Sequence, residues 1–312
     1  MSAQRSKLSG GRLHFQHGPI DIVIGAEGRP DALAAAHEAA WTRFEIVLDE
    51  LVGELKELRR PVLGECRLHG GIARRMWSAC LPFRDEFVTS MAAVAGAVAD
   101  ELILKYEREG IDRSWVNNGG DIALYLSPGS SVRIGLFADL ERLDARQVFT
   151  GVTTDGRFDV THDMGVRGVA TSGWRGRSHS LGIADSVTVL AATAVEADAA
   201  ATMIANAVNV NDHRIVRRPA CELKNDSDLG EIPVTVDVPP LGPGAVRQAL
   251  EAGLERANEL LENGLIRACI LVCQGSVTST AARVLTHPLS GIHGLGRPIA
   301  VADCTNQFGG SK

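Results

Sequence analysis

The chain has 312 residues, 45% hydrophobic and 22% charged, an ordinary balance for a protein with a substantial core. A net charge of −6 provides no basic surface for phosphate backbones, which excludes the electrostatic signature of a nucleic-acid binder. It leaves room for a local cationic pocket, for which Arg74, Arg75, Arg175 and Arg177 are candidates.

A strand is expected at PIDIVIGA, where Ile20, Ile22 and Ile24 alternate with Asp21 and Val23. A helix from about 31 to 60 follows, with apolar residues at three- and four-residue spacing and a stop at Pro61. The next stretch, PVLGECRLHGGIARRMWSACLPF, mixes Gly, Arg, Cys and His and reads as a loop covering a site. A second helix is expected over 84–109, ended by Gly110 and built from small residues in its middle. Strands are then expected at SWVNN, DIALYL, SVRIGLF, RQVFTGVTT and GVATS, the first three as an antiparallel meander with turns at Gly119-Gly120 and Pro128-Gly129-Ser130. The segment DSVTVLAATAVEADAAATMIANAVNV reads as a strand feeding a helix, and DVPPLGPG as a connector to a helix over 245–263 capped by Gly264. IRACILVCQG closes the regular part as a buried strand, ahead of an irregular tail.

No apolar run approaches membrane-spanning length, so no membrane partner is expected. The six cysteines form no C-x-x-C pair, and the polar N-terminus lacks a secretory apolar core, so reduced thiols and a cytoplasmic location are expected. Cys269 and Cys273, four apart on one strand face, are read as core. Mixed element order and the absence of a linker point to an α+β fold, one domain spanning 1–312 with mixed or antiparallel sheets flanked by helices.

Four stretches break the rules of their own elements. WVNNGGDIAL is either a two-glycine hairpin with Asn118 and Asp121 bonded to backbone, or a place where a ligand approaches the glycines. VATSGWRGRSHSLG joins hydroxyls, two arginines and His179, a composition able to bind phosphate or merely to be solvated. In TAVEADAAATMIANA, Asp198 and Thr202 share a helix face among alanines and can reach a hard cation, or Asp198 caps a neighbouring element. In AAVAGAVAD, Gly96 sits mid-helix, which close helix packing or a ligand would explain.

AGAVAD, WVNNGGDI, ATSG and SVTVLAATAVEADAAATMI follow in the order of the A-K-G-x-x-x-D, N-x-G-G-D, S-G and S-V-T-V…A-D-A-x-A-T segments of the ApbE-like superfamily, the FAD:protein FMN transferases. The chain resembles in particular a shorter branch of that superfamily, and the resemblance covers a little over a third of its length. It implies an ApbE-like, T-fold-related architecture and Mg-dependent transfer of FMN from FAD to a Ser or Thr of a flavin-acceptor protein. The resemblance further implies metal ligation by Asp198, Thr202 and the backbone carbonyl of Ala92. It places FAD against Asn118, Gly119, Gly120, Asp121, Ser172, Gly173, Arg175 and Arg177, with His179 and Asp198 as catalytic residues. The family's lysine is replaced by Ala95 and its H-x-x-D-P-x-T-G-x-P segment by HSLGIADS, so one cation and a substrate-shaping loop are gone. A flavin- or nucleotide-binding module without transfer, and an enzyme acting on a smaller substrate in the same cleft, are the alternatives that these departures keep open.

Overall fold

The structure, a computed structural model, describes residues 2–137, 156–176, 178–280 and 300–301. Arg177, the strand expected at RQVFTGVTT and the tail histidines His287 and His293 lie outside the described residues. An N-terminal hairpin of β1 (Gln4–Lys7) and β2 (Leu13–His17) precedes β3 (Ile20–Gly28). β3 carries the alternation that identifies a half-buried strand, and β2 a shorter one through Leu13 and Phe15; β1 is exposed throughout, so its sequence has no apolar face to read.

Helix α1 (Pro30–Gly53) buries Ala32, Ala36, Ala40, Phe44, Val47 and Leu51 along one face. It stops seven residues short of the expected end, and a separate turn, α2 (Leu55–Leu58), follows. The break is at Glu54, whose carboxylate accepts from the His69 and Gly70 N–H groups, each at 2.7 Å. The expected covering loop is irregular over 62–70, but its second half is a helix, α3 (Gly71–Cys80). Ile72, Ala73, Met76, Ala79 and Cys80 form its buried face, a helical spacing hidden by adjacent arginines and glycines. The helix expected from 84 begins later. Val62 donates to the Val88 carbonyl and Pro61 bridges to Thr89, which holds this part extended. Thr89 then caps a tight turn (Ser90–Ala93) that enters α4 (Val94–Ile103).

β4 (Ile111–Asn118) and β5 (Asp121–Leu126) form the expected hairpin, but β6 (Ser131–Phe137) leaves it and pairs with β7 (Gly156–Thr161). β8 (Gly168–Ser172) and β9 (Ser186–Ala191) follow, then α5 (Ala194–Ala207). A small sheet of β10 (Val216–Pro219) and β11 (Pro233–Asp237), bracketing the short α6 (Ala220–Leu223), has no counterpart in the sequence reading. The C-terminal part holds α7 (Pro243–Glu262), β12 (Ala268–Cys273), β13 (Ser276–Ser279) and β14 (Ala300–Val301).

The principal sheet has nine strands in the order β1-β2-β3-β4-β5-β8-β9-β12-β13, every described pairing antiparallel. The fold class is therefore α+β, and the sheets are antiparallel rather than mixed. Both faces of the central strands are covered. Cys269, Leu271 and Cys273 of β12 face the helical layer, while Ala268, Ile270 and Val272 face a second core with Val132, Ile134, Phe158 and Val160 of the β14-β6-β7 sheet. This two-sided burial accounts for the unbroken apolar run ACILVC. Cys66, Cys80, Cys221, Cys269 and Cys273 are free thiols, and Cys269 and Cys273 are core, as the sequence suggests. Among the described residues no helix is long and apolar enough to cross a membrane.

Candidate functional site

Helix α5 is buried on nearly all sides. Ala194, Val195, Ala197, Ala199, Ala200, Ala201, Met203, Ile204 and Ala205 all belong to the core, because alanine lets neighbouring backbones close around the helix. Against that background Asp198, Thr202 and Asn206 are half-buried. At four-residue spacing they form one polar stripe along a single helix face. A polar stripe on a core helix needs partners, and the surrounding elements supply them.

At the first end of the stripe, the Gly96 N–H of α4 donates to Asp198 Oδ2 at 2.9 Å. A side chain at Gly96 would have its Cβ 2.3 Å from the Ala194 carbonyl oxygen, so the glycine is there for close approach of α4 to α5. The packing reading of Gly96 therefore holds: close approach of the helices also makes the hydrogen bond possible. The preceding carbonyl, that of Ala95, accepts from Asn118 Nδ2 at 3.1 Å, which ties the β4–β5 turn to the same place. Gly119 (φ 69) and Gly120 (φ 118) form the two-residue turn, and the Gly120 N–H donates to Asn117 Oδ1 at 2.9 Å. The turn reading of WVNNGGDIAL is therefore correct in form, and Asn118 and Asp121 both bond backbone as expected, Asn118 at the Ala95 carbonyl and Asp121 at the Thr171 N–H of β8 at 3.3 Å, next to Ser172.

Asp198 is held well above the usual carboxylate range, first by loss of solvent, then by repulsion from Asp121, against which the Gly96 and Ala95 N–H groups work; Asp100 adds repulsion. Asp198 on α5 and Asp121 on β5, whose charges act on one another, offer the carboxylate oxygens a hard cation takes, and the Thr202 hydroxyl one turn on from Asp198 is a third oxygen on that helix face. Among the described residues no group of three or more His, Cys, Asp or Glu side chains forms a protein-only metal cage. Magnesium does not require one, since it is commonly held by one or two carboxylates and completed by waters and ligand phosphates. The donor set fits magnesium. Ala92, the proposed carbonyl ligand, lies in the Ser90–Ala93 turn, which packs on α5.

At the far end, Asn206 Oδ1 accepts from the Leu181 N–H at 2.9 Å and from Ser180 Oγ at 3.2 Å. The loop carrying His179, itself half-buried, is thereby fixed to the same helix that carries Asp198 and Thr202. Gly173 starts this loop where a Cβ would lie 2.4 Å from the Asp185 carbonyl, so its backbone contact is with the returning chain. Arg175 stacks over Trp174, its Cζ 4.5 Å from the ring centroid, and its charge acts on the buried Asp185. The Gln274 N–H also donates to Asp185, at 2.5 Å. Gln274 (φ 44) is held there by its amide, which bonds Leu241 and Pro239.

Asp100 was not singled out from the sequence, although it ends the AGAVAD segment. Its two oxygens accept from the Ala194 and Val195 N–H groups at 3.0 and 2.8 Å, so it caps α5 from α4. Burial outweighs those bonds and pushes its carboxyl up to about 6. Folded protein then binds a proton between pH ~4 and 6 that the unfolded chain, titrating near ~3.9, does not, so this group favours folding more as pH falls through 6. Between pH 7 and 5 the unfolding free energy should rise by about 1 kcal/mol through Asp100. Denaturant titrations of wild type and Asp100→Asn at both pH values check this; an unchanged pH slope in the variant refutes it. Cys80 of α3 also feels the charge of Asp198 and its thiol is pushed up by burial, which places the unforeseen helix beneath the site.

A family model described as AbpE bacteria matches residues 4–279. A UPF0280 protein of Methanopyrus kandleri is 33% identical over 221 residues, covering 69% of this chain and 83% of that protein. A UPF0280 protein of Methanothermobacter thermautotrophicus is 37% identical over 140 residues, 45% of this chain, and the match spans half (50%) of that relative's length. Among solved structures, the apo form of the Pseudomonas stutzeri flavinyl transferase ApbE aligns over 90% of this chain and 94% of its own, with 14% identity and a TM-score of 0.40. The match over residues 4–279 covers both ends of the polar stripe and every element around it. The chain belongs to the AbpE bacteria family.

Proposed function

We propose that this chain binds FAD with magnesium in the cleft over the α5 stripe and passes FMN to a Ser or Thr hydroxyl of a partner protein. The observation that carries the reading is the desolvated Asp198 carboxylate, which accepts from the Gly96 N–H on the helix face shared with Thr202 and on which the charge of Asp121 of β5 acts. The motif order supports flavin as the ligand, and the donor set supports a hard dication. Bound magnesium would neutralise pyrophosphate charge. Asp198, Thr202 and the Ala92 carbonyl would hold it, and the fixed β4–β5 turn would let the ligand lie against Gly119 and Gly120. In the transfer, the acceptor hydroxyl oxygen bonds to the FMN phosphorus, the phosphoanhydride bond to AMP breaks, and AMP departs. The hydroxyl proton passes to a base, the role that His179 or Asp198 would fill.

A second reading has a specific observation behind it. Position 95 is alanine, and its carbonyl is occupied by Asn118, so the cation expected there is absent. That favours a module that holds flavin without transferring it. Incubation of the pure protein with FAD and magnesium, with and without candidate acceptor proteins, separates the two. Transfer predicts AMP release coupled to flavin becoming covalent on the acceptor; a binding module predicts thermal protection without AMP. If FAD neither binds nor raises the melting temperature in magnesium, both flavin readings fall.

A further inference from the structure

Arg217 sits on β10 opposite Thr235 of β11, half-buried. Its Nη2 donates to Asn209 Oδ1 at 2.7 Å, and among the described residues no carboxylate pairs with it. Other half-buried arginines here are treated differently. Arg43 lies between Glu50 and Glu101, Arg113 is paired with Glu27, and Arg256 lies between Glu86 and Glu259. Arg167 lacks a carboxylate too, but spends both terminal nitrogens on backbone carbonyls. A guanidinium offers five N–H donors, and a neutral amide takes one of those at Arg217. Removing such a charge from water without a counter-charge is costly, and burial indeed draws its proton affinity down.

The surroundings tie this charge to the site. Asn209, which holds Arg217, also donates from Nδ2 to the Leu181 carbonyl at 3.1 Å. Thr235, across the strand pair, donates its N–H to the Ser180 carbonyl at 2.8 Å. Ser180 and Leu181 are the residues that Asn206 binds at the end of the polar stripe. Arg217 is thus one hydrogen-bonded residue away from the loop that carries His179.

We propose that Arg217 forms an anion subsite at this end of the cleft, binding a phosphate group of the ligand through its uncommitted N–H donors. The inference rests on reading the cleft as one for a phosphate-bearing ligand. It assigns the β10–β11 sheet a role in binding, at the opposite end of α5's stripe from the carboxylates.

Titration calorimetry of full-length wild type, Arg217→Gln and Asn209→Asp with magnesium pyrophosphate, FAD and riboflavin tests this. Asn209→Asp sets a carboxylate against the guanidinium and neutralises it without altering Arg217, so it decides the question should Arg217→Gln fold poorly. Both variants are expected to weaken pyrophosphate and FAD by about tenfold or more and to flatten the dependence of binding on salt, with any riboflavin binding unchanged. Binding of pyrophosphate by Asn209→Asp as tightly as by wild type overturns the subsite, as does a wild type that binds no pyrophosphate. Equal loss of riboflavin binding also overturns it, marking a structural role. If wild type binds pyrophosphate through Arg217 but not FAD, the subsite stands and the flavin reading falls. If FAD binds without regard to Arg217, the reverse holds.

Discussion

Asp198→Asn should melt at a higher temperature than wild type in chelator, and should lose the further increase that magnesium with FAD gives the wild type. The two effects have one cause. In the absence of a cation, the Asp198 carboxylate is desolvated and faces Asp121, so its charge works against folding. Asparagine keeps an oxygen to accept the Gly96 N–H and removes the charge. A gain of about 1 kcal/mol is expected, which for a chain of 312 residues is roughly 1–2 °C. With ligand at ~100 times its dissociation constant, the wild type gains about 2.7 kcal/mol, and the variant should gain almost none. Differential scanning of both proteins with EDTA, with magnesium, and with magnesium plus FAD reads all of this at once. A variant that retains the full ligand-induced shift removes Asp198 from the metal site. One that is less stable in EDTA shows that the Gly96 bond outweighs the repulsion.

The sequence disclosed the parts of the fold whose periodicity is simple. Helix α1, β3, the β4–β5 hairpin, the β9-to-α5 unit and α7 follow from apolar spacing and from glycine or proline punctuation. It concealed elements whose signal depends on tertiary partners. α3 is disguised because its exposed face carries Arg74 and Arg75 and it opens on glycine. β6 was joined to the wrong sheet because local alternation says which face is buried, not against what. β10 and β11, with VRRP and PVTVD each part exposed and part buried, carry almost no pattern, so Arg217 is invisible as a site residue in the sequence.

The site divides in the same way. Asp198 and Thr202 were legible because a carboxylate and a hydroxyl one turn apart among alanines break the composition of their own helix. Asn206, four residues further, lies on that stripe and could have been found by extending the spacing once more. The Asp198–Asp121 repulsion, by contrast, joins residues on different elements, and no spacing along the chain reports it. Gly173 has a packing reason that no spacing along the chain reports: a Cβ there would lie 2.4 Å from the Asp185 carbonyl oxygen.

Gly96→Ala carries the largest expected loss of stability. In an exposed helix this change would stabilise by about 1 kcal/mol, since alanine is the better helix former. Here the new Cβ would lie 2.3 Å from the Ala194 carbonyl oxygen, 2.6 Å from its carbon and 2.9 Å from Asp198 Cβ. Two of those atoms are backbone of a core helix, which no rotamer change can move aside. Helix α4 must shift bodily, at about 3 kcal/mol or more. Gly53→Ala, at the exposed end of α1 with nothing within 4 Å of its Cβ, is the matched control and should be neutral or stabilising. Urea unfolding of the two variants gives the comparison; a Gly96→Ala protein as stable as wild type shows that α4 and α5 do not touch as described. The same displacement takes the Gly96 N–H away from Asp198 Oδ2 and the Ala95 carbonyl away from Asn118. Ligand affinity measured on the still-folded variant in magnesium should therefore fall as well, because the close contact that packs the helices also positions the carboxylate.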